Sequence, residues 1–270
     1  MPKQKLLIII ASCLFVLGVV GSLITYQTAG ASDEDVKETK IVENQSISKF
    51  EIETDNARVD VLPTTDEEIT VEFTAPGTNK NKYKFNVEEE GDLLSVEVKE
   101  KRLQFLSVDL DFSFKGPNVI IYLPEKQYDE LGIDVINGRV HVEDIEIANV
   151  DIETVNGRVE LEGLKTNTTT VSSENGGVNL THVDGDIISE VVNGRTTMIT
   201  NDLDRSINLE SVNGKIDIQT SNEPTNASIE VDVVNGKVDI FGDSSRSAVV
   251  GDGKHKIKLK TVNGSITVSK

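Results

Sequence analysis

Ile133-Asp134-Val135-Ile136-Asn137-Gly138-Arg139-Val140-His141-Val142 is one copy of a phrase that returns, with variations, to the end of the chain. Asn-Gly pairs stand at Asn137-Gly138, Asn156-Gly157, Asn175-Gly176, Asn193-Gly194, Asn213-Gly214, Asn235-Gly236 and Asn263-Gly264. The steps between them are 19, 19, 18, 20, 22 and 28 residues. A period of about 20 marks a repeat architecture. Three residues after each Asn stand Val140, Val159, Val178, Thr196, Ile216, Val238 and Ile266, all β-branched. Five after it stand Val142, Leu161, Leu180, Met198, Ile218, Ile240 and Val268. The positions four and six before it are apolar too, except Ser189 and Thr169. Each unit therefore reads as an alternating strand, an Asn-Gly corner and a second alternating strand, with one face buried and one wet.

Both residues of the pair tolerate positive φ, which makes them a natural corner. Two architectures use such a corner. In a hairpin, Asn-Gly forms a tight turn and the flanking strands pair with each other. In a solenoid, it is one corner of a coil that stacks on the next at about 4.8 Å. A row of hairpins would make a large open sheet whose apolar face needs a second layer, and no segment reads as an amphipathic helix that could cover it. A solenoid buries that face inside its own coil and stacks Asn on Asn in a hydrogen-bonded ladder. The fold expected is thus all-β, a repeat β-solenoid over residues 131–270. Its longer steps become loops such as Ser221–Asn226 and Gly242–Gly253. The chain ends two residues past its last apolar position. The Asn263 rung is therefore expected at the far end, as a blunt edge guarded by Lys256, Lys258, Lys260 and Lys270 or as a docking surface.

Residues 46–130 are β-rich and less regular. Phe50–Val61 fits the repeat with Ala57 in the place of Gly, a degenerate first coil. Ile69–Phe73, Tyr83–Val87, Leu93–Val98, Phe105–Phe114 and Val119–Leu123 alternate apolar with polar. With most of the aromatics, they read as wider coils and a cap that closes the solenoid core.

At the start, Lys3 and Lys5 precede Leu6–Tyr26, which carries no charge. About 20 apolar residues span a bilayer as a helix, so residues 1–26 read as a single N-terminal transmembrane anchor. The flanking lysines and the acids Asp33, Glu34 and Asp35 place the N-terminus in the cytoplasm and the rest outside. Two rival readings are a signal peptide cleaved near Ala29-Gly30-Ala31 and a lipidated Cys13. Residues 27–45 read as an acidic linker.

The whole chain has 270 residues, a net charge of −19, 37 % hydrophobic residues, 4 % aromatics, no Trp and one Cys. Its acidity argues against a nucleic-acid partner, which needs a basic face. No Cys follows Cys13, so neither disulfides nor thiolate metal sites are available outside the anchor. No nucleophile motif of the Gly-x-Ser-x-Gly kind occurs. His141 and His182 fall at different repeat positions and are not expected to stack; with His255, they read as surface residues. Asp134, Glu153, Ser172, Glu190, Glu210 and Asp232 share the position three before the Asn. Stacking would bring these carboxylates to about 5 Å from one another. The plain reading is a solvated outer face; the rivals are Ca²⁺ binding or acid–base work on a polysaccharide. Arg139, Arg158, Arg195, Lys215 and Lys237, two after the Asn, are placed to pair with acids on neighbouring strands. Asp184-Gly185-Asp186 and Asp252-Gly253 read as turns before Ca²⁺ loops. No catalytic, cofactor or metal residue is assigned.

Asn-Gly-Arg/Lys-Val repeats behind an N-terminal anchor, preceded by Tyr122-Leu123-Pro124, resemble the "putative adhesin" family of β-strand-repeat proteins, which includes LiaG-like membrane-anchored proteins of Gram-positive bacteria. The resemblance covers residues 46–270. It implies a β-solenoid or sandwich-like repeat ectodomain, a surface location, a non-enzymatic binding or scaffolding role and an association with envelope stress. The implied partners are a cell-envelope component or a membrane protein. It supplies no catalytic residues.

Overall fold

The computed structural model describes residues 35–76, 83–101 and 116–270. The expected anchor Leu6–Tyr26, Cys13, Ala29-Gly30-Ala31 and the strand read at Phe105–Phe114 lie outside the described residues. Among the described residues, no helix is long and apolar enough to cross a membrane.

The chain begins with β1 (Val36–Val42), β2 (Lys49–Thr54), β3 (Arg58–Thr64), β4 (Ile69–Ala75), β5 (Tyr83–Glu90), β6 (Leu93–Glu100) and β7 (Asn118–Pro124). Two long strands follow, β8 (Gln127–Glu143) and β9 (Glu146–Glu162). Later rungs are strand pairs either side of an Asn-Gly: β10 (Thr168–Asn175) with β11 (Val178–Thr181), β12 (Asp186–Asn193) with β13 (Thr196–Thr200), and β14 (Ile207–Asn213) with β15 (Ile216–Thr220). Then come β16 (Ala227–Asn235) with β17 (Val238–Ile240), a short β18 (Ser247–Val249), and β19 (His255–Asn263) with β20 (Ile266–Ser269).

Rungs pair in parallel and in register, the mark of a solenoid and not of a row of hairpins. Val171 lies between Ile152 and Ser189, and Asn175 between Asn156 and Asn193. The alternating positions point inward and are sealed: Ile133, Ile152, Val171, Leu209 and Leu259 are at most 1 % exposed. Each buried aliphatic side chain of this size contributes roughly 1.5–3 kcal/mol. A short third side closes each early coil. It starts at a left-handed residue seven after the Asn, namely Asp144 (φ 53), Gly163 (φ 64) or His182 (φ 52). Next to these, Ile145, Leu164 and Val183 are buried.

The glycine of the corner is needed for a different reason from the one expected. None of the seven Asn-Gly pairs has positive φ, and β8 and β9 run through the corner as unbroken strands. The cause is close approach between rungs. A Cβ on Gly194 would lie 1.6 Å from the Gly176 carbonyl oxygen, and one on Gly214 would lie 1.5 Å from that of Gly194. Each glycine faces the carbonyl of the preceding rung in this way. In the β2–β3 rung Ala57 takes this place, and it is buried.

The Asn side chains form the expected ladder. Asn263 donates from Nδ2 to Asn213 Oδ1 (2.8 Å), Asn213 to Asn193 (2.9 Å), and Asn193 to Asn175 (2.9 Å). Asn175, Asn156 and Asn137 continue it to Asn56 Oδ1. Asn56 Nδ2 donates to the Glu100 carboxylate at 3.0 Å. All the amides point the same way, an arrangement in which each bond polarises the next.

Spatial order departs from chain order at the far end. β14 pairs with β19, and β19 pairs with β16; β15 pairs with β20, and β20 with β17. The last coil of the sequence is therefore inserted before the coil that precedes it. The expectation of a blunt Asn263 edge is overturned: Asn263 has Asn213 on one side and Asn235 on the other. The terminal rung is Ala227–Ile240, and β18 pairs antiparallel along part of its outer edge. Charge favours this order. Lys258 and Lys260 sit between Asn208 and Glu210 on one side and Glu230 and Asp232 on the other. Chain order would have set Glu210 directly against Asp232.

At the near end, the β2–β3 coil stacks in parallel on β8, and β6 and β7 stack in parallel on its other side. Antiparallel pairs complete the cap: β1 on β4, β4 on β7, and β5 on β6. Phe73 from β4 stacks on Phe85 from β5 at 5.0 Å, joining the two halves of the cap over the core. One expectation is corrected: Val36–Val42 is strand β1 and not part of a linker. Its side chains are mostly wet on both faces, so alternation carried no signal. Backbone pairing holds it, together with Lys37–Glu72 at 3.1 Å. Lysines on such an edge oppose further pairing.

Candidate functional site

Outward residues three and one before each Asn stand either side of a buried one, and stacking turns each into an axial row. Between the rows runs a groove of about 720 Å³. It crosses seven rungs, from Glu53 to Lys260, a span of about 29 Å at the strand spacing. One wall is the acidic row singled out above. In space it reads Glu53, Asp134, Glu153, Ser172, Glu190, Glu210, Lys260, Asp232. Glu53 joins this row by register. The sequence reading left it out, although the degenerate coil Phe50–Val61 already carried the signal.

The opposite wall was missed. One residue before the Asn stand Ile136, Val155, Val192, Val212, Val262 and Val234, interrupted by Asp55 and Glu174. Ile136 is 48 % exposed, and Val192 and Val212 are each 43 % exposed. The rung order makes Val192, Val212, Val262 and Val234 consecutive neighbours. Together they form an apolar strip beside the Asn ladder. The outward parity of these valines was visible in the sequence, but β-branched residues in a strand are commonplace.

The floor is the position two before the Asn, where Thr54, Val135, Thr154, Ser173, Val191 and Ser211 are buried. The hydroxyls of Thr54, Thr154, Ser173 and Ser211 have no hydrogen-bond partner among the described residues.

A lysine stands at each end of the groove: Lys99 Nζ lies 3.0 Å from Glu53, and Lys260 Nζ lies 3.7 Å from Glu210. Hydrogen bonds to Glu97 and Glu53 push the Lys99 ammonium pKa up. Partial burial, then the charges of Glu53 and Asp151, raise the Asp134 carboxyl above its ordinary value. The groove between the lysines thus carries an excess of negative charge on one wall and hydrocarbon on the other.

The remaining candidates do not converge on it. Arg139 pairs with Glu160 on the next rung, Arg158 with Glu160 (3.7 Å), and Arg195 with Asp217 (3.5 Å). These surface pairs lie on the strands that follow the Asn-Gly corner and contribute roughly 0.2–1 kcal/mol each. His141 contacts Glu143 at 3.3 Å, and His182 occupies a left-handed corner. Gly185 (φ 79) and Gly253 (φ 66) confirm Asp184–Asp186 and Asp252-Gly253 as turns. Among the described residues, no three His, Cys, Asp or Glu side chains converge to hold a metal ion.

The Toastrack DUF4097 family matches the chain over residues 47–146 and again over 133–269. No curated protein matches it. Among solved structures, a putative adhesin from Bacteroides fragilis NCTC 9343 is similar at 13 % identity and a TM-score of 0.50, over 88 % of this chain and 100 % of that one. A putative cell adhesion protein from Clostridium sporogenes ATCC 15579 is 15 % identical over 87 % of this chain and 99 % of that one, with a TM-score of 0.37.

Proposed function

The chain belongs to the Toastrack DUF4097 family, and from that premise we propose that it is a non-enzymatic, adhesin-like binding module held at the bacterial cell surface. In this reading Leu6–Tyr26 anchors it with the N-terminus inside, and the solenoid stands outside as a rigid rod. Its partner is a component of the cell envelope or a membrane protein, and its setting is the envelope-stress response, as the likeness to LiaG-like proteins implies.

One observation carries the binding reading. The groove is continuous over seven rungs, with carboxylates on one wall and exposed valines and isoleucine on the other. Monomeric proteins rarely leave a contiguous apolar strip exposed without a use. Rigid parallel rungs also present it without an ordering cost on binding. Its chemistry fits an elongated ligand with cationic groups along one edge and apolar groups along the other. Catalysis asks for a different arrangement, with acid, base and stabiliser converging on one reacting atom.

The test is capture of fractionated cell envelope by the full-length chain in detergent, beside a Val192→Lys, Val212→Lys double variant, with and without added Ca²⁺. Both sites are exposed, so the variant should keep its melting temperature. We expect at least about tenfold weaker capture, the effect of losing about 1.4 kcal/mol of apolar contact. Undiminished capture by the variant would remove the groove from the reading. Capture that appears only with Ca²⁺ would assign binding to the carboxylate row instead.

A further inference from the structure

The seven Asn-Gly pairs share a chemical liability. A backbone nitrogen followed by no side chain can attack the preceding Asn amide. In this fold the ladder restrains both partners of that reaction. The Gly176 N–H donates to Asn193 O at 3.0 Å, Gly194 to Asn213 O at 3.1 Å, Gly214 to Asn263 O at 3.0 Å, and Gly264 to Asn235 O at 3.0 Å. Gly138 and Gly157 lie inside the paired strands β8 and β9. The nitrogens of Gly176, Gly194, Gly214 and Gly264 are thus turned toward the next rung and held there. Gly236 is the exception. Its rung is the last in space, and among the described residues no acceptor meets its N–H. Asn235 and Gly236 are both exposed, and Val234 before them is 65 % exposed. The bond from Asn235 Nδ2 to Asn263 Oδ1 (3.0 Å) is all that holds this side chain in the ladder.

We propose that Asn235 is a self-modification site at the tip of the solenoid, converting to aspartate and isoaspartate while the six other Asn-Gly pairs are protected by stacking. The Gly236 nitrogen loses its proton to solvent base and attacks Asn235 Cγ. The new N–C bond closes a five-membered succinimide. The Cγ–Nδ2 bond breaks, and nitrogen leaves as ammonia after taking up a proton from water. Water then opens the ring at one of its two carbonyls, giving aspartate or isoaspartate. Either product carries a new negative charge and has no Nδ2–H to donate, so the terminal bond to Asn263 is lost. Isoaspartate also lengthens the backbone by one carbon at the corner, which shifts β17 relative to β20. The change is irreversible without repair, and its extent records the age of each molecule.

The site follows from the rung order. In chain order, Asn263-Gly264 would be terminal and exposed to the same attack. In the observed order, Gly264 is satisfied by Asn235 O.

The experiment is timed incubation of the full chain in mildly alkaline buffer. Peptide mass mapping with isoaspartate detection follows all seven pairs. Asn235 is expected to convert about tenfold faster than any other, the rate equivalent of one backbone hydrogen bond of about 1.4 kcal/mol. A parallel incubation in denaturing urea should bring all seven to similar rates. Uniform conversion in the native chain, or Asn263 converting first, would overturn the proposal. So would an Asn235 lead that persists unchanged in urea, since that preference would belong to the local sequence and not to the fold.

Discussion

Thr154 and Thr261 occupy the same column, two before the Asn, and differ in one hydrogen bond. Thr261 Oγ1 donates to Gly214 O at 3.0 Å, whereas the buried Thr154 hydroxyl has no partner among the described residues. An unsatisfied buried hydroxyl costs about 1–3 kcal/mol, and a satisfied one contributes about 1. The column already accepts valine at Val135, Val191 and Val233, so shape is no obstacle. Thr154→Val is therefore expected to stabilise the protein by about 1 kcal/mol, and Thr261→Val to destabilise it by a similar amount. Urea denaturation of the two variants decides the matter; a shift of the same sign in both would show that the Thr261 bond carries no weight. The same scale shows what could be read beforehand. The apolar columns and the Asn ladder were legible because they depend on residue type at a fixed period. The reason for glycine was not. It depends on a carbonyl contributed by another rung about 20 residues away, and local φ preference pointed to the wrong cause.

Asp204 shows how a loop between rungs is tied down. Its carboxylate accepts the Thr225 hydroxyl at 2.6 Å and the backbone N–H groups of Asn226 and Thr225, both at 2.9 Å. The Thr225 hydroxyl bond, then the Asn226 amide, holds the Asp204 pKa below its ordinary 3.8. A folded-state value lower than the unfolded one means stability that is complete above about pH 5. That stability is lost as the pH falls from 3.8 through the depressed value. Asp204→Asn should remove this contribution at neutral pH and so lower the melting temperature there. The difference between variant and wild type should shrink toward zero in acid. A gap that stays constant down to about pH 2 would mean that the carboxylate's charge is not what holds the loop. Asp134 has the opposite sign: burial and the charges of Glu53 and Asp151 raise it, so its ionisation opposes folding as the pH rises past 3.8. At this scale the sequence reading found β4, β5, β6 and β7 from alternation but missed β1. An edge strand wet on both faces has no apolar period to betray it.

The order of the rungs is a property of the whole molecule, and no repeat template could reveal it, because every coil matches the template equally well. Two features did carry a trace: the 28-residue step before Asn263, and three outward lysines in a strand of an otherwise acidic repeat. Long-range electrostatics gives them their meaning. Lys260 lies between Glu210 and Asp232, replacing a repulsion by two attractions, each worth a few tenths of a kcal/mol in water. Crosslinking tests this directly. Adjacent parallel rungs bring opposed Cα atoms to about 4.8 Å, inside the 4.4–6.8 Å that a disulfide spans, while alternate rungs lie near 9.6 Å, beyond its reach. With Cys13→Ser removing the single native thiol, Glu210→Cys with Lys260→Cys should oxidise readily. Glu210→Cys with Asp232→Cys should not, although the latter pair is closer in the chain. If the second pair closes and the first does not, the rungs follow chain order. Asn263 then becomes the terminal Asn, and the susceptible amide moves from Asn235 to Asn263 with it. The crosslink and the deamidation map therefore stand or fall on the same crossing of strands.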